Sequence, residues 1–240
     1  MKLSPNSFEF QLFLTLTVII LVVKLVFIAY LGLKVNAKRK ETGSLSLDFL
    51  TGIFLLFICL FVSRLFYLFF DFVFTQFDTS TAHLEPAITF WKLAALTANI
   101  GYIISLFVID KKVLNFRFKG FFAYILAIAA VIQFFWPVNS PEGFQIVSTI
   151  NLFAFILAVL IPIIFLYIGI KTPALRKTSF TIAFGVIIFA IGSLLTIEAI
   201  SLPLRNAYGV GAVIGIYFLH FLLKAIGLGM FSYGVTKFSA

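Results

Sequence analysis

Cysteine is almost missing from this chain. Cys59 stands alone inside an apolar run, so no disulfide can form within one molecule, and it reads as a small buried apolar side chain. Histidine is nearly as scarce. His83 lies in a polar stretch and His220 in a long apolar one, with no cysteine pair beside either, which leaves no metal-ligand cluster. No glycine-rich phosphate loop precedes a basic residue and no nucleophile-elbow sequence occurs, so the chain is not expected to be an enzyme. Charge is the third shortage. Only 11% of the 240 residues are charged, against about 25% in a soluble domain, too few to cover a surface exposed to water.

Hydrocarbon is what the chain has in quantity: 62% of the residues are hydrophobic and 33 are phenylalanine. A helix needs about 20 mainly apolar residues to cross about 30 Å of bilayer core. Seven runs meet that length, at approximately 9–34, 49–75, 89–110, 121–138, 146–170, 179–200 and 209–235. No run alternates as a β-barrel strand would. The fold class expected is therefore all-α, a seven-transmembrane-helix bundle forming a single membrane domain over residues 1–240. The fourth run is the shortest and ends at Pro137, and Pro162 inside the fifth predicts a kink, because proline removes a backbone donor and crowds the preceding turn. The segment before the first run has Lys2 as its basic residue and no evident small-residue cleavage site, so that run is expected to be a retained helix and not a signal peptide.

The net charge of +9 is distributed by side. Lys34, Lys38, Arg39 and Lys40 follow the first run, Lys111, Lys112, Arg117 and Lys119 the third, Lys171, Arg176 and Lys177 the fifth, and Lys237 the seventh. The opposite side has Lys2 and Arg205 with Glu9, Asp78, Glu85 and Glu142. Positive loops mark the cytoplasm, which predicts an outside N-terminus, a cytoplasmic C-terminus and a multi-pass protein of the cell membrane. Small basic clusters at a membrane edge suit anionic lipid headgroups, and no loop is long enough for a nucleic-acid-binding domain, so no nucleic-acid partner is expected.

Ionisable residues inside the spans are the informative ones, since each costs about 2.5–3.5 kcal/mol at the helix centre on insertion scales and turns toward protein or water. They are Lys24, Arg64, Lys92, Lys224, Asp71 and Glu198. Lys92 beside Trp91 reads as an interfacial anchor, Lys24 as a snorkelling or paired amine, and Asp110 as a cytoplasmic boundary residue. Arg64, Tyr67 and Asp71 share one helical face, and the guanidinium, which does not lose its proton, must point at a partner. Tyr217, His220 and Lys224 share a face of the seventh run, among Gly211, Gly215, Gly227, Gly229 and Gly234, which allow close helix approach. The candidate ligand-binding set is Arg64, Tyr67, Asp71, His220, Lys224 and Glu198. Its excess of cations favours an anionic small molecule or lipid headgroup.

Residues 45–120 carry a resemblance. The step Ser63-Arg64 followed by aromatics and Asp71, then Phe90-Trp91-Lys92 and Val108-Ile109-Asp110-Lys111, are similar to a group of uncharacterised archaeal seven-helix membrane proteins found in Asgard-type genomes. The resemblance implies an archaeal origin and the same topology, and carries no activity. The topology is also similar to the seven-helix sensor regions that precede histidine kinases, although no kinase is expected after Tyr233, where few residues remain. Lys224 in the seventh run resembles the Schiff-base lysine of microbial rhodopsins, which would imply retinal. That family's pattern has a carboxylate four positions earlier, where this chain has His220, and acidic counterions on the third helix. Here the third run offers Thr97, Asn99 and Ser105 before Asp110 at its end, and only Trp91 and Trp136 could supply a tryptophan cage. A protonated Schiff base without an anion is destabilised, so no cofactor is expected.

The function expected from these features is receptor-like: a ligand-sensing membrane bundle with a polar interior, signalling through a separate cytoplasmic or membrane partner. The alternatives are a small-solute transporter or channel, against which an odd helix number counts because it does not divide into equal inverted halves, and an accessory subunit of a larger membrane complex.

Overall fold

A backbone in hydrocarbon has no water to bond, so its N–H and C=O groups must be satisfied within the segment, which a helix does. The structure, a computed structural model, describes residues 2–44, 46–196, 203, 204 and 207–239. Among the described residues there are helices and turns and no strand. The helices are α1 (Phe8–Thr42), α2 (Phe49–Leu68), α3 (Ala87–Lys112), α4 (Phe121–Phe135), α5 (Pro141–Ala158), α6 (Leu160–Lys171), α7 (Arg176–Leu194) and α8 (Val210–Phe238). A π-helical turn, Phe69–Phe74, continues α2.

Six of the described segments are long and apolar enough to cross a membrane: Phe8–Thr42, Phe49–Phe74, Ala87–Lys112, Pro141–Lys171, Pro173–Leu194 and Gly211–Phe238. Their outward faces are apolar too, with Val26 60%, Ile163 54% and Ile170 64% exposed, a surface that lipid accommodates and water does not. The chain is a multi-pass membrane protein. The fourth expected span is the exception in length: α4 has 15 residues and covers about 22 Å at 1.5 Å per residue.

The boundaries differ from the apolar runs for local reasons. α1 continues through Lys34, Lys38, Arg39 and Lys40, so these cations sit on its last turns and not in a loop. α4 stops at Phe135 because a residue before proline is pushed out of the helical region, and Trp136 before Pro137 is extended at ψ 128°. α5 begins at Pro141, whose missing N–H costs nothing in a first turn, after Ser140 accepts from the Gly143 N–H at 3.3 Å. The kink expected from Pro162 is a break at Val159, one turn earlier, where Ala158 loses the donor that residue 162 would have supplied. Residues 197–200, the end of the sixth expected span, lie outside the described residues.

The chain packs as two compact units, Met1–Ser7 with Ile28–Leu160 and Phe8–Phe27 with Ile161–Ala240. In the first unit α2 and α3 meet through small residues. A Cβ on Gly101 would lie 2.8 Å from that of Cys59, and one on Gly52 would lie 3.0 Å from Val108. Ile88, Trp91, Ala95, Val138 and Val147 form a buried cluster against which Tyr67, Phe70 and Phe144 pack; Trp91 is thus a core residue. Between α1 and α2, Asp48 accepts from the Thr51 N–H at 2.9 Å as a helix cap and pairs with Lys38 at 2.7 Å. Burial alone would raise the Asp48 carboxyl, but the Lys38 hydrogen bond and charge and the Thr51 bond outweigh it and hold it below the usual carboxylate range.

In the second unit α7 and α8 touch backbone to backbone. A Cβ on Gly227 would lie 2.5 Å from the Phe189 nitrogen, one on Gly185 2.6 Å from the Phe231 nitrogen, and one on Gly234 2.7 Å from Ile182. Such approach maximises dispersion contact where lipid offers no hydrophobic drive between helices. Gly211 and Gly215, expected to act in the same way, have no described atom within 4 Å of a Cβ built there.

Replacing Gly227 with Leu should push α7 from α8 and cost more than the about 1–3 kcal/mol of ordinary core overpacking, because the obstructing atoms are backbone. Gly211→Leu is the matched control and should leave the thermal midpoint in detergent nearly unchanged. The lowered Asp48 value makes a second prediction. Stability present above the ordinary carboxylate value, 3.8, is lost as pH falls through the lower folded-state value. Asp48→Asn should flatten the acid limb of a stability–pH curve over that interval.

Candidate functional site in the polar interior

The candidate residues fall into the two units. In the first, Arg64 and Asp71 form an ion pair, Nη1 to Oδ2 at 3.3 Å, with both side chains mostly buried. The π turn sets Asp71: the Thr75 N–H and hydroxyl both donate to the Phe70 carbonyl, at 3.0 and 2.8 Å, closing the wide ring that shifts register relative to an α-helix. Tyr67 is half-buried, with its phenol within electrostatic reach of Asp71, Arg64 and Tyr102. Arg64 is thus paired with a carboxylate seven residues further along the continuation of its own helix.

A second polar contact in this unit carries no charge. Asn99 on α3 donates from Nδ2 to Gln133 Oε1 on α4 at 3.0 Å, with the two residues 3% and 1% exposed. The bond fixes the Gln133 amide so that Nε2 points away from Asn99, and Nε2 is buried with no acceptor among the described residues. Its signal in the sequence is a single amide inside each of two apolar runs.

Two charged residues play roles other than those expected. Lys92 donates to the Trp136 carbonyl at 2.6 Å and so caps the C-terminus of α4, where a cation is favoured. Asp110 is 5% exposed and organises the turn after α3. Its Oδ1 accepts from the Phe118 N–H at 3.0 Å and its Oδ2 from the Gly120 N–H at 2.7 Å, while its carbonyl accepts from the Phe116 N–H at 2.7 Å.

In the second unit, His220 is 7% exposed, with Nδ1 2.7 Å from the Gly192 carbonyl oxygen. A carbonyl only accepts, so Nδ1 carries the proton and Nε2 is the basic nitrogen of the neutral ring. Tyr217 stacks on Phe13 of α1 with centroids 3.8 Å apart. Lys224 holds Nζ 5.5 Å above the centre of the Phe189 ring, a cation–π contact. Lys24 is 4% exposed and Thr17, seven residues before it on the same stripe of α1, is 3% exposed, so Lys24 is enclosed in protein and does not snorkel. Phe13 meets Tyr217 and Phe27 meets Gly229. Between those contacts α1 and α8 run side by side, which offsets Lys24 and Lys224 along the axes by about 3–6 Å, according to the contact counted from, at 1.5 Å per residue. Glu198 lies outside the described residues. No group of three or more metal-ligating side chains occurs among the described residues.

No family model, curated protein or solved structure matches the chain.

Asn99→Leu should strand the Gln133 amide in a dry interior and lower stability by about 1–2 kcal/mol. Adding Gln133→Leu should recover most of that loss, because no polar group then remains unsatisfied. Thermal unfolding of the single and double variants in the same detergent measures both.

Proposed function

We propose that the chain is a seven-span receptor of the cell membrane that binds a small anion in the polar seam of the second unit and passes the event to a separate partner protein. Its N-terminus is outside and its C-terminus is in the cytoplasm. Charge placement supports counting α4 as a crossing: with α4 in, the basic clusters at 34–40, 111–119 and 171–177 share one side, as cytoplasmic loops do. Left out, the last of these would face the other way from the second.

The observation that carries the ligand reading is Lys24, an amine 4% exposed inside an apolar bundle, in one unit with His220 and Lys224. Arg64 is answered by Asp71, so the first unit's pair is electrically complete. In the residue ranges of the second unit, the acids are Glu9, at the start of α1, and Glu198. With Glu9 at a run end, the sequence sets Lys24, Lys224 and His220 against Glu198 alone, a sign count that fits a carboxylate or phosphate ligand. Ionisable groups held in a membrane at this cost are functional by default. His220 adds an imidazole to the same face of α8 as Lys224, with its Nδ1 held by the Gly192 carbonyl.

The test is thermal stability of the purified protein against acetate, succinate, citrate and inorganic phosphate, with chloride matching the ionic strength. One class should raise the midpoint with concentration, approaching about 2.7 kcal/mol at a hundredfold over Kd. Lys24→Leu and Lys224→Leu should each remove the response, while the joint replacement of Arg64 and Asp71 by Leu should keep it. If no anion stabilises the wild type beyond its chloride control, the seam is not an anion site.

A further inference from the structure

The turn that joins α3 to α4 is built, not slack. Asn115, Phe116, Lys119 and Gly120 all take positive φ, at 54°, 58°, 51° and 76°, a region in which residues other than glycine are strained. The buried Asp110 carboxylate pays for that strain by accepting the Phe118 and Gly120 N–H groups. A conformation held in this way fixes what the turn presents. Lys111, Lys112, Arg117 and Lys119 are exposed, and between and beside them stand Phe116 at 40%, Phe118 at 41% and Phe121 at 56% exposure.

Depth is the second observation. α4 has 15 residues, about 22 Å against a hydrocarbon core of about 30 Å, and Lys92 ties its far end at Trp136. A short crossing draws the bilayer surface toward its ends, which sets this turn in the headgroup layer. Exposed phenylalanine is unfavourable in water and exposed lysine in hydrocarbon; the headgroup layer suits both. An acidic soluble peptide would satisfy the cations and leave the rings wet.

We propose that residues 111–121 form a headgroup site for an anionic phospholipid, in which Arg117 and the flanking lysines bind the phosphate while Phe116, Phe118 and Phe121 enter the acyl boundary. A guanidinium fork matches two phosphate oxygens, and cations beside an anionic leaflet each strengthen the attachment. The site is separate from the anion seam of the second unit and rests on the proposed function only in taking α4 as a crossing.

The experiment reconstitutes the full chain in nanodiscs of phosphatidylcholine with a minority of phosphatidylserine, extracts it gently and counts retained lipids by native mass spectrometry. Wild type should retain phosphatidylserine in preference to phosphatidylcholine. Arg117→Gln with Lys119→Gln should cut that retention by on the order of tenfold or more, and Phe116→Ser with Phe118→Ser should also weaken it. Lys171→Gln with Lys177→Gln, which removes the same charge at another edge, should leave it largely intact. Equal losses from the two charge pairs would reduce the effect to general attraction and overturn the proposal. So would a wild type without preference for the anionic lipid, a comparison that stands however the variants fold. Inorganic phosphate at constant ionic strength should not displace the lipid; displacement would assign the site to free phosphate, and competition by a polyglutamate peptide would assign it to an acidic protein segment.

Discussion

Every polar atom in this protein's apolar layer must be answered by another atom of the protein, because hydrocarbon supplies neither donors nor acceptors. The backbone meets this demand by winding into helices, and the side chains meet it by pairing. Arg64 answers Asp71, Asn99 answers Gln133, and His220 gives its Nδ1 proton to the Gly192 carbonyl. Where the backbone cannot comply, at Pro162, the helix parts one turn earlier and resumes. The three pairings differ in what they leave over. The ion pair is electrically complete, the amide pair leaves Gln133 Nε2 with no acceptor among the described residues, and the histidine bond fixes a tautomer.

The helix ends obey the opposite condition, since water and headgroups are at hand there. Asp48 and Asp110 nevertheless turn inward, the first as a cap on α2 that also holds Lys38, the second as the organiser of the turn after α3. A carboxylate that accepts backbone N–H groups fixes chain direction more strictly than a solvated one. Both ends of α4 are fastened to α3, by Asp110 before its start and by the Lys92–Trp136 bond at its end.

Much of this was legible in the residues. Long apolar runs mark hydrocarbon-length helices whatever their packing, and the Pro162 kink and the Arg64–Asp71 pairing followed from backbone chemistry and from spacing. The ends of helices were less legible, because an apolar run stops where lipid stops whereas hydrogen bonding continues, as along α1 to Thr42. The role of Asp110 was not legible at all. Composition suggests left-handed backbone at Asn115 and Gly120 but not at Phe116 or Lys119, so nothing local announces a turn that needs a buried carboxylate. The His220–Gly192 contact spans 28 residues and has no local signature. For Lys24 the aliphatic run leaves snorkelling and pairing both open, and only its burial decides against the first.

The glycine contacts between α7 and α8 carry a mechanical consequence. Helices separated by long side chains can shear as rotamers change, but at Gly185, Gly192 and Gly227 the two main chains interlock with no cushion between them. The pair must therefore tilt as one lever. A displacement of α8 at Lys224 or His220 is carried to Lys177 at the start of α7 and to Lys237 at the end of α8 together.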